Sequence, residues 1–337
     1  MRLLVLGGTE FVGRALVAGA VGRGWEVTVL NRGRRPAPAG ARTLRGDRTA
    51  PGGLGSLDAG GPWDAVVDTW KGAPRVVRDA ARSLRGRAGR YAYVSSCSVY
   101  AWSPPAGYTE DAPLVGGARA DADATDYARD KRGGELAVLD AFGADRSLLV
   151  RAGLILGPHE NVGRLPWWLT RVARGGPLLA PGPRALPLQY VDARDLAGWT
   201  LDALERGTSG PYNLISEPGH TTMGGLLDAC AAVTGARPEF VWTPPRAVLD
   251  AGIAPWTELP VWVAPGSAEH DALHSADVSR AVAAGLVCRP VTETVADTWA
   301  WLRSLDSAEP PWGAGIGLAP EKEAAALAAQ AQDGTAR

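Results

Sequence analysis

Residues 1–32, MRLLVLGGTEFVGRALVAGAVGRGWEVTVLNR, constrain the fold more than any other stretch of this 337-residue chain. An apolar run, Leu3 to Leu6, stops at Gly7-Gly8, and a helical pattern opens at about Phe11. A second apolar run, Val27 to Leu30, stops at Asn31-Arg32. Strand, glycine turn, helix and strand make one βαβ unit, with the turn placed where a phosphate-binding loop belongs. Gly7 permits the tight turn, and Gly13 lets the helix pack closely on the strand. The start of the helix leaves unpaired N–H groups and a partial positive charge to face a pyrophosphate. The middle glycine of the usual fingerprint is replaced by Glu10.

The same alternation runs through the first half. Arg42 to Leu44, Trp63 to Thr69, Tyr91 to Ser95 and Ser147 to Arg151 read as further strands. Val76 to Leu84 and Asp126 to Leu139 read as helices. Strands alternating with helices argue an α/β fold with a doubly wound parallel sheet. Ligands of such a sheet lie beyond the carboxyl ends of its strands, where Gly7, Asn31, Asp47, Thr69 and Ser95 fall. The second half is less regular. Leu165 to Ala173 reads as a Trp-bearing helix, Leu186 to Val191 as a strand leading into a helix over Asp195 to Leu204, and Pro211 to Ile215 as a strand returning to the main sheet.

Composition excludes several classes. Hydrophobic residues make up 46% and charged residues 21%, the balance of a soluble protein. A net charge of −1 gives no electrostatic footprint for nucleic acid. Cys97, Cys230 and Cys288 form no CxxC pair and read as reduced thiols. The N-terminal apolar residues already serve as the first strand, so no signal peptide is read. No apolar run approaches the roughly 20 residues that span a bilayer. The expectation is a soluble cytoplasmic protein with neither a nucleic-acid nor a membrane partner. His270 and His274 have i,i+4 spacing, but no carboxylate motif accompanies them, so they read as solvent-facing and no metal site is expected.

Catalytic chemistry concentrates in three side chains. Tyr127 and Lys131 stand four residues apart on one helix face, about 5–6 Å between Cβ atoms. A free phenol has a pKa near 10, and a nearby lysine charge brings it closer to neutrality. Ser96, at the end of the fifth strand, can donate a hydrogen bond to the same substrate oxygen. Such a set can move a proton to a carbonyl or from an alcohol while hydride passes to or from a nicotinamide.

With these elements in place the chain resembles the extended short-chain dehydrogenases/reductases, the group of NAD-dependent epimerases and dehydratases. The resemblance rests on GGTEFVG (7–13), YVSSCSVY (93–100), YARDK (127–131), RAGLILGP (151–158) and QYVDARDLA (189–197). It implies a Rossmann domain of residues 1–157 plus about 186–215. A smaller, discontinuous C-terminal substrate domain follows, about 158–185 plus 216–312. Residues 313–337 read as a flexible tail, Ala-rich and charged from Glu321 onward, either a frayed helix or a disordered segment. It also implies that Ser96, Tyr127 and Lys131 are catalytic, with Lys131 holding the nicotinamide ribose. Gly7, Thr9, Glu10, Phe11 and Val12 would cradle the pyrophosphate, Asp47-Arg48 would approach the adenine, and Ala152-Gly153-Leu154 the nicotinamide. Family analogy suggests a homodimer paired through the helices carrying Leu136 and Leu139, and Val76, Val77 and Leu84.

Sugar-nucleotide dehydratases of this group carry an acidic pair directly after the catalytic hydroxyl. Here those positions are Cys97 and Ser98, so that reaction and the related decarboxylation are disfavoured. A reductase or dehydrogenase acting on a small molecule leads. The alternatives are a sugar-nucleotide epimerase, with Arg164, Arg171 and Arg174 for a diphosphate, and a non-catalytic relative that senses dinucleotide or binds RNA.

Cofactor choice is legible at Asn31-Arg32. An NAD enzyme usually ends this strand in a carboxylate for the ribose hydroxyls. Arg32, with Arg34 and Arg35 behind it, would instead attract a 2′-phosphate, so NADP(H) is expected over NAD(H). Among the 13 tryptophans, Trp25, Trp63 and Trp199 read as packing. Trp102, Trp167 and Trp168 lie on segments expected to face a pocket, with Trp256 and Trp262 closing it. Ser98, Trp102, His159, Arg164 and Trp167 are the substrate candidates.

Overall fold

Seven parallel strands form the central sheet: β1 (Arg2–Leu6), β2 (Glu26–Asn31), β3 (Arg42–Arg45), β4 (Trp63–Asp68), β5 (Ala88–Ser96), β6 (Ser147–Ala152) and β7 (Gly210–Leu214). In space they run β3-β2-β1-β4-β5-β6-β7, so the order reverses beside β1. The structure, a computed structural model, describes residues 1–305 and 315–335.

Why these segments are strands follows from their burial. Leu3 to Leu6 are wholly inaccessible, and Val27, Val29, Leu30, Val66 and Val67 nearly so. Apolar runs buried on both faces are what a parallel sheet covered by helices requires. Helices α1 (Phe11–Gly22) and α4 (Ala193–Arg206) pack together, as do α2 (Pro74–Leu84) and α3 (Tyr127–Phe142). One core cluster joins Leu4, Leu6 and Val66 to Val77, Leu84, Tyr91, Val138 and Phe142. Trp25, Trp63 and Trp199 are buried, as packing residues should be.

Two compact units emerge. The first contains residues 1–155, 193–216 and 276–288. The second contains residues 156–192, 217–275 and 289–337. This division departs from the expected one: 186–192 belong to the second unit, and 276–288 return to the first. The returning segment is fixed by Asp277 N–H donating to the Tyr108 carbonyl at 2.9 Å and by the Trp199 indole donating to the Ala284 carbonyl at 3.1 Å.

In the second unit, Pro177–Pro181 and Glu239–Thr243 pair in parallel, and helix Met223–Thr234 packs on Arg164–Ala173 and Val291–Arg303. Trp168 and Trp262 are core residues here, correcting the expectation that they face a pocket. Both are fully buried, their indoles donating to the carbonyls of Pro260 (2.7 Å) and Gly182 (3.1 Å). His270 and His274 are likewise buried rather than solvent-facing. The His274 ring accepts from Gln189 N–H and bonds to the Val261 carbonyl through Nε2, both at 3.1 Å. Burial pushes its pKa down to about 4, so it stays neutral.

Of the two forms expected for the tail, the described residues take the helical one. Pro320–Thr335 is a helix, and Glu323 anchors it by accepting from Arg171 Nε at 2.7 Å and Leu179 N–H at 3.1 Å. The domain limit expected at 312/313, and residues 313, 314, 336 and 337 of the tail, lie outside the described residues. Among the described residues no helix is long and apolar enough to cross a membrane.

Candidate functional site

At the end of β1 the chain turns through Gly7, whose φ of +104° belongs to glycine. Gly7 N–H donates to the Leu30 carbonyl and Thr9 N–H to the Gly7 carbonyl. Gly13 has no room for a side chain, since a Cβ there would stand 2.5 Å from the Gly7 oxygen. Glu10 is the N-cap of α1, but its side chain caps no first-turn N–H group. Phe11 follows at a φ of 32°, and Val12 is buried. Thr69 closes the other side: its N–H and hydroxyl both donate to the Leu6 carbonyl, and its Oγ1 would lie 2.5 Å from a Cβ on Gly7. This is a backbone cradle that added side chains would fill.

The end of β2 carries a further sign of a missing partner. Asn31 Oδ1 accepts from Gly33 N–H at 2.6 Å, which fixes the amide, and its Nδ2 is then buried without an acceptor. An orphan buried donor calls for an oxygen-rich group. Arg32, Arg34 and Arg35 follow it on the loop, and the Arg45 side chain lies against Gly33. Arg35 Nε is 3.5 Å from Glu10 Oε1. The Asp47 carboxyl is held below its ordinary range by bonds from the Thr49 hydroxyl and N–H, and then by the charges of Arg32 and Arg34. Glycine cradle, orphan donor and cationic rim together fit a dinucleotide.

Arg48 departs from its expected part. Its guanidinium makes a bidentate pair with the fully buried Asp68, at 2.7 and 2.6 Å, beside the Trp70 ring. Burial pushes Asp68 up, but Arg48, the Tyr91 hydroxyl and Trp70 N–H outweigh it and hold the group ionised. That guanidinium is spent on the core, which leaves Asp47 as the polar side chain facing outward.

Ser96 ends β5, and its Oγ accepts from Ser98 N–H and bonds the Ser98 hydroxyl, each at 3.1 Å. Neighbouring Ser95 turns the other way: its hydroxyl is buried and donates to Glu135 Oε1 at 2.8 Å, so it is not available to a cofactor. Tyr127 opens α3 and is 50% exposed. Asp126 caps the helix by accepting from Arg129 N–H, and Asp130 holds the lead-in by accepting from the N–H and hydroxyl of Thr125. One turn on, Lys131 is almost wholly buried, with Nζ donating to the carbonyls of Trp70 (2.6 Å) and Val94 (2.7 Å). Nζ lies 5.9 Å from the centre of the Tyr127 ring. Burial pushes the Lys131 pKa down to about 7, against the favourable charges of Asp68 and Glu135. The lysine is thus pinned to the strand end that carries Ser96. Beyond β6, Ala152 and Leu154 are buried and Gly153 is half-buried, its N–H donating to the Leu214 carbonyl.

The remaining candidates divide between the units. In the first, Ser98 is half-buried beside Ser96 and Trp102 is 62% exposed. Cys97 is a filler: burial pushes its thiol up to about 12, and it donates to the Arg151 carbonyl. In the second unit, the His159 ring lies 5.2 Å from Trp301, the Arg164 guanidinium 4.9 Å over Trp256, and Trp167 edge-on to Trp168 at 4.6 Å. Arg171, considered for a diphosphate, is committed to Glu323 and to the carbonyls of Gly175 and Pro177. Among the described residues no cluster of three or more His, Cys, Asp or Glu side chains could hold a metal.

Sequence reasoning missed the buried support beneath this site. Glu135 accepts from Ser95, Arg132 and Arg151, and Arg151 also donates to the Tyr100 hydroxyl. The available signal was spacing, because Glu135 lies one further turn along the face that carries Tyr127 and Lys131.

Sheet order, glycine turn and crossover helices define a dinucleotide-binding Rossmann protein. Residues 3–214 match the model of the NAD dependent epimerase/dehydratase family, and the chain belongs to that family, within the extended short-chain dehydrogenases/reductases. It is 35% identical over 213 residues to the 2′-dehydrokanamycin reductase of Streptomyces kanamyceticus, a match covering 60% of this chain and 58% of the reductase. It is 28% identical over 273 residues to the epimerase family protein SDR39U1 of Bos taurus, covering 74% of this chain and 85% of that protein. Among solved structures, the Bordetella bronchiseptica enzyme WbmH in complex with NAD+ superposes with a TM-score of 0.68 at 18% identity, over 91% of this chain and 99% of the other. UDP-glucuronic acid 4-epimerase from Bacillus cereus in complex with NAD gives 0.65 at 14% identity, over 91% and 100%. At these identities the structural likeness speaks for the fold.

Proposed function

We propose that this chain is an NADP(H)-dependent reductase or dehydrogenase acting on a carbonyl or alcohol of a small molecule. The observation that carries the reading is Lys131 bonding the Val94 carbonyl of β5, the strand that Ser96 ends, with its Nζ 5.9 Å from the centre of the Tyr127 ring. When bound, the nicotinamide supplies or accepts the hydride. Tyr127 gives its phenolic proton to the substrate oxygen, or takes one from it. Ser96 donates a hydrogen bond to that oxygen and orients it. Lys131 is held by two carbonyls, keeps its amine near the phenol, and supplies charge whenever it is protonated.

Asn31 and the arginines of the following loop receive the adenosine end, with Arg32 as the 2′-phosphate contact, and Asp47 faces the adenine. The backbone of residues 7–12 receives the pyrophosphate, and the Ala152-Gly153-Leu154 backbone the nicotinamide. Ser98, Trp102, His159, Arg164 and Trp167 remain the proposed substrate contacts. We further infer a cytoplasmic homodimer. Val76, Val77 and Leu84 are buried and so removed from any dimer surface, whereas Leu136 is exposed.

A sugar-nucleotide epimerase is the second reading, favoured by the epimerase family relative. The commitment of Arg171 within its own unit weighs against it. The test is to incubate the purified protein with a metabolite extract and NADPH, following absorbance at 340 nm and mass changes. A substrate gaining two hydrogens as absorbance falls supports a reductase. Inversion of a sugar-nucleotide carbon with no net absorbance change would replace it by the epimerase.

A further inference from the structure

The middle position of the glycine fingerprint normally lets backbone approach a diphosphate without hindrance. Glu10 puts both a Cβ and a negative charge there. A carboxylate at this position could have capped its own helix, yet Glu10 does not. Its Oε1 lies instead 3.5 Å from Arg35 Nε, with the two side chains 46% and 61% exposed. The first-turn N–H groups stay uncapped by Glu10, and the nearby Asn31 Nδ2 lacks an acceptor. Cation and anion thus meet over a cradle whose own groups favour an anion.

We propose that Glu10 loosens the cofactor. Its charge opposes the diphosphate, and its hold on Arg35 withholds a cation that would otherwise reach a phosphate. Both effects act on any pyridine dinucleotide, whichever 2′ substituent it carries. The consequence is an exchangeable co-substrate rather than a resident group. Net reduction converts one carbonyl, one proton and one NADPH into an alcohol and NADP+, so each turnover needs a fresh dinucleotide. An enzyme that oxidises and re-reduces the same carbon needs none. The inference rests on the dinucleotide reading above and deepens its choice of reductase over epimerase.

Calorimetric titration with NADPH and with NADH tests it on wild type, Glu10→Gln, Glu10→Gly and Glu10→Gln/Arg35→Ala. A glycine in place of an N-cap costs little stability, and thermal melts check that each variant is folded. Removing one charge close to a diphosphate near the surface should tighten binding about tenfold. Glu10→Gly and Glu10→Gln should tighten both dinucleotides by the same factor, and Arg35→Ala should take back part of the gain. Wild type should release well under one dinucleotide per chain on acid extraction. Unchanged or weaker binding in both Glu10 variants, or a full complement of dinucleotide in purified wild type, overturns the proposal. The ratio of NADPH to NADH affinity is a separate readout, so a wrong cofactor preference leaves this proposal standing. Absence of all dinucleotide binding overturns both.

Discussion

Glu135 and Arg151 face each other inside the first unit with 0% and 3% of their side chains exposed, joined at 3.0 and 3.2 Å through Nε and Nη2. The same carboxylate also receives the Ser95 hydroxyl and Arg132, so β5, β6 and α3 share one acceptor. Removing one partner of such a buried pair strands the other charge, at about 3–5 kcal/mol. Glu135→Ala should therefore lower the urea unfolding free energy by that amount. A loss below about 1 kcal/mol would show that water or another side chain takes over the role.

Tyr127→Phe removes the proposed proton donor and little contact area. Turnover should fall about 10²–10⁴-fold while dinucleotide affinity stays within about twofold of wild type. Steady-state kinetics and calorimetry separate the two quantities. Near-normal turnover would remove Tyr127 from the relay.

Under the proposed function Arg32, which follows the end of β2, receives the 2′-phosphate. A partly exposed guanidinium–phosphate pair should favour NADPH over NADH by roughly 10–100-fold, about 1.4–2.8 kcal/mol. Arg32→Ala should erase most of that preference, and titration with both cofactors measures it. Equal or tighter binding of NADH by wild type would reduce Arg32 to a solvated loop residue.

Burial brings the Lys131 pKa down to about 7. Between about pH 7 and the ordinary lysine range near 10.4, an unfolded chain binds a proton there that the folded protein does not. Stability contributed by this residue therefore rises with pH across that window, by at most about 1.4 kcal/mol per pH unit. The difference in unfolding free energy between wild type and Lys131→Met should shift in favour of wild type from pH 7.5 to 9.5. A difference that stays flat would mean the folded protein keeps the ammonium charged.

Glu323 ties the last helix to Arg171 and to the Leu179 N–H with little exposure on either side chain. Glu323→Ala should cost about 2–3 kcal/mol, because a charged partner and a backbone donor both lose their acceptor. Hydrogen exchange should report this as faster opening of Pro177–Pro181. Unchanged protection there would show that the helix is held by its other contacts.

Much of the first unit could be read directly from the chain. Apolar runs such as Leu3 to Leu6 are buried on both faces, and glycines such as Gly7 mark the turns that end them. Tyr127 and Lys131 were likewise marked by helical spacing. The missed features depend on contacts between distant residues. Arg48 looked like a ligand contact because its partner, Asp68, is 20 residues away at the end of β4. Ser95 and Ser96 are adjacent hydroxyls, and strand alternation sends one to Glu135 and the other to the strand end. The buried histidines and tryptophans of the second unit carry no period that separates core from pocket. The terminal segment read as either a frayed helix or a disordered tail because its Ala-rich, charged composition gives no sign of the distant contacts that Glu323 and Lys322 make.

The return of residues 276–288 to the first unit fixes an order of assembly. All seven strands lie within residues 1–214, so the sheet is fully translated well before its last segment. At about 5–20 residues per second, the roughly 60 residues between β7 and Asp277 take several seconds to emerge. Throughout that interval the Asn213 amide and the Trp199 indole await the carbonyls of Asp277 and Ala284. The stretch that delays them, 217–275, belongs to the other unit. On the ribosome the two units mature as interleaved stretches of chain, and the nascent Rossmann sheet keeps an unfinished edge until most of the second unit has been made.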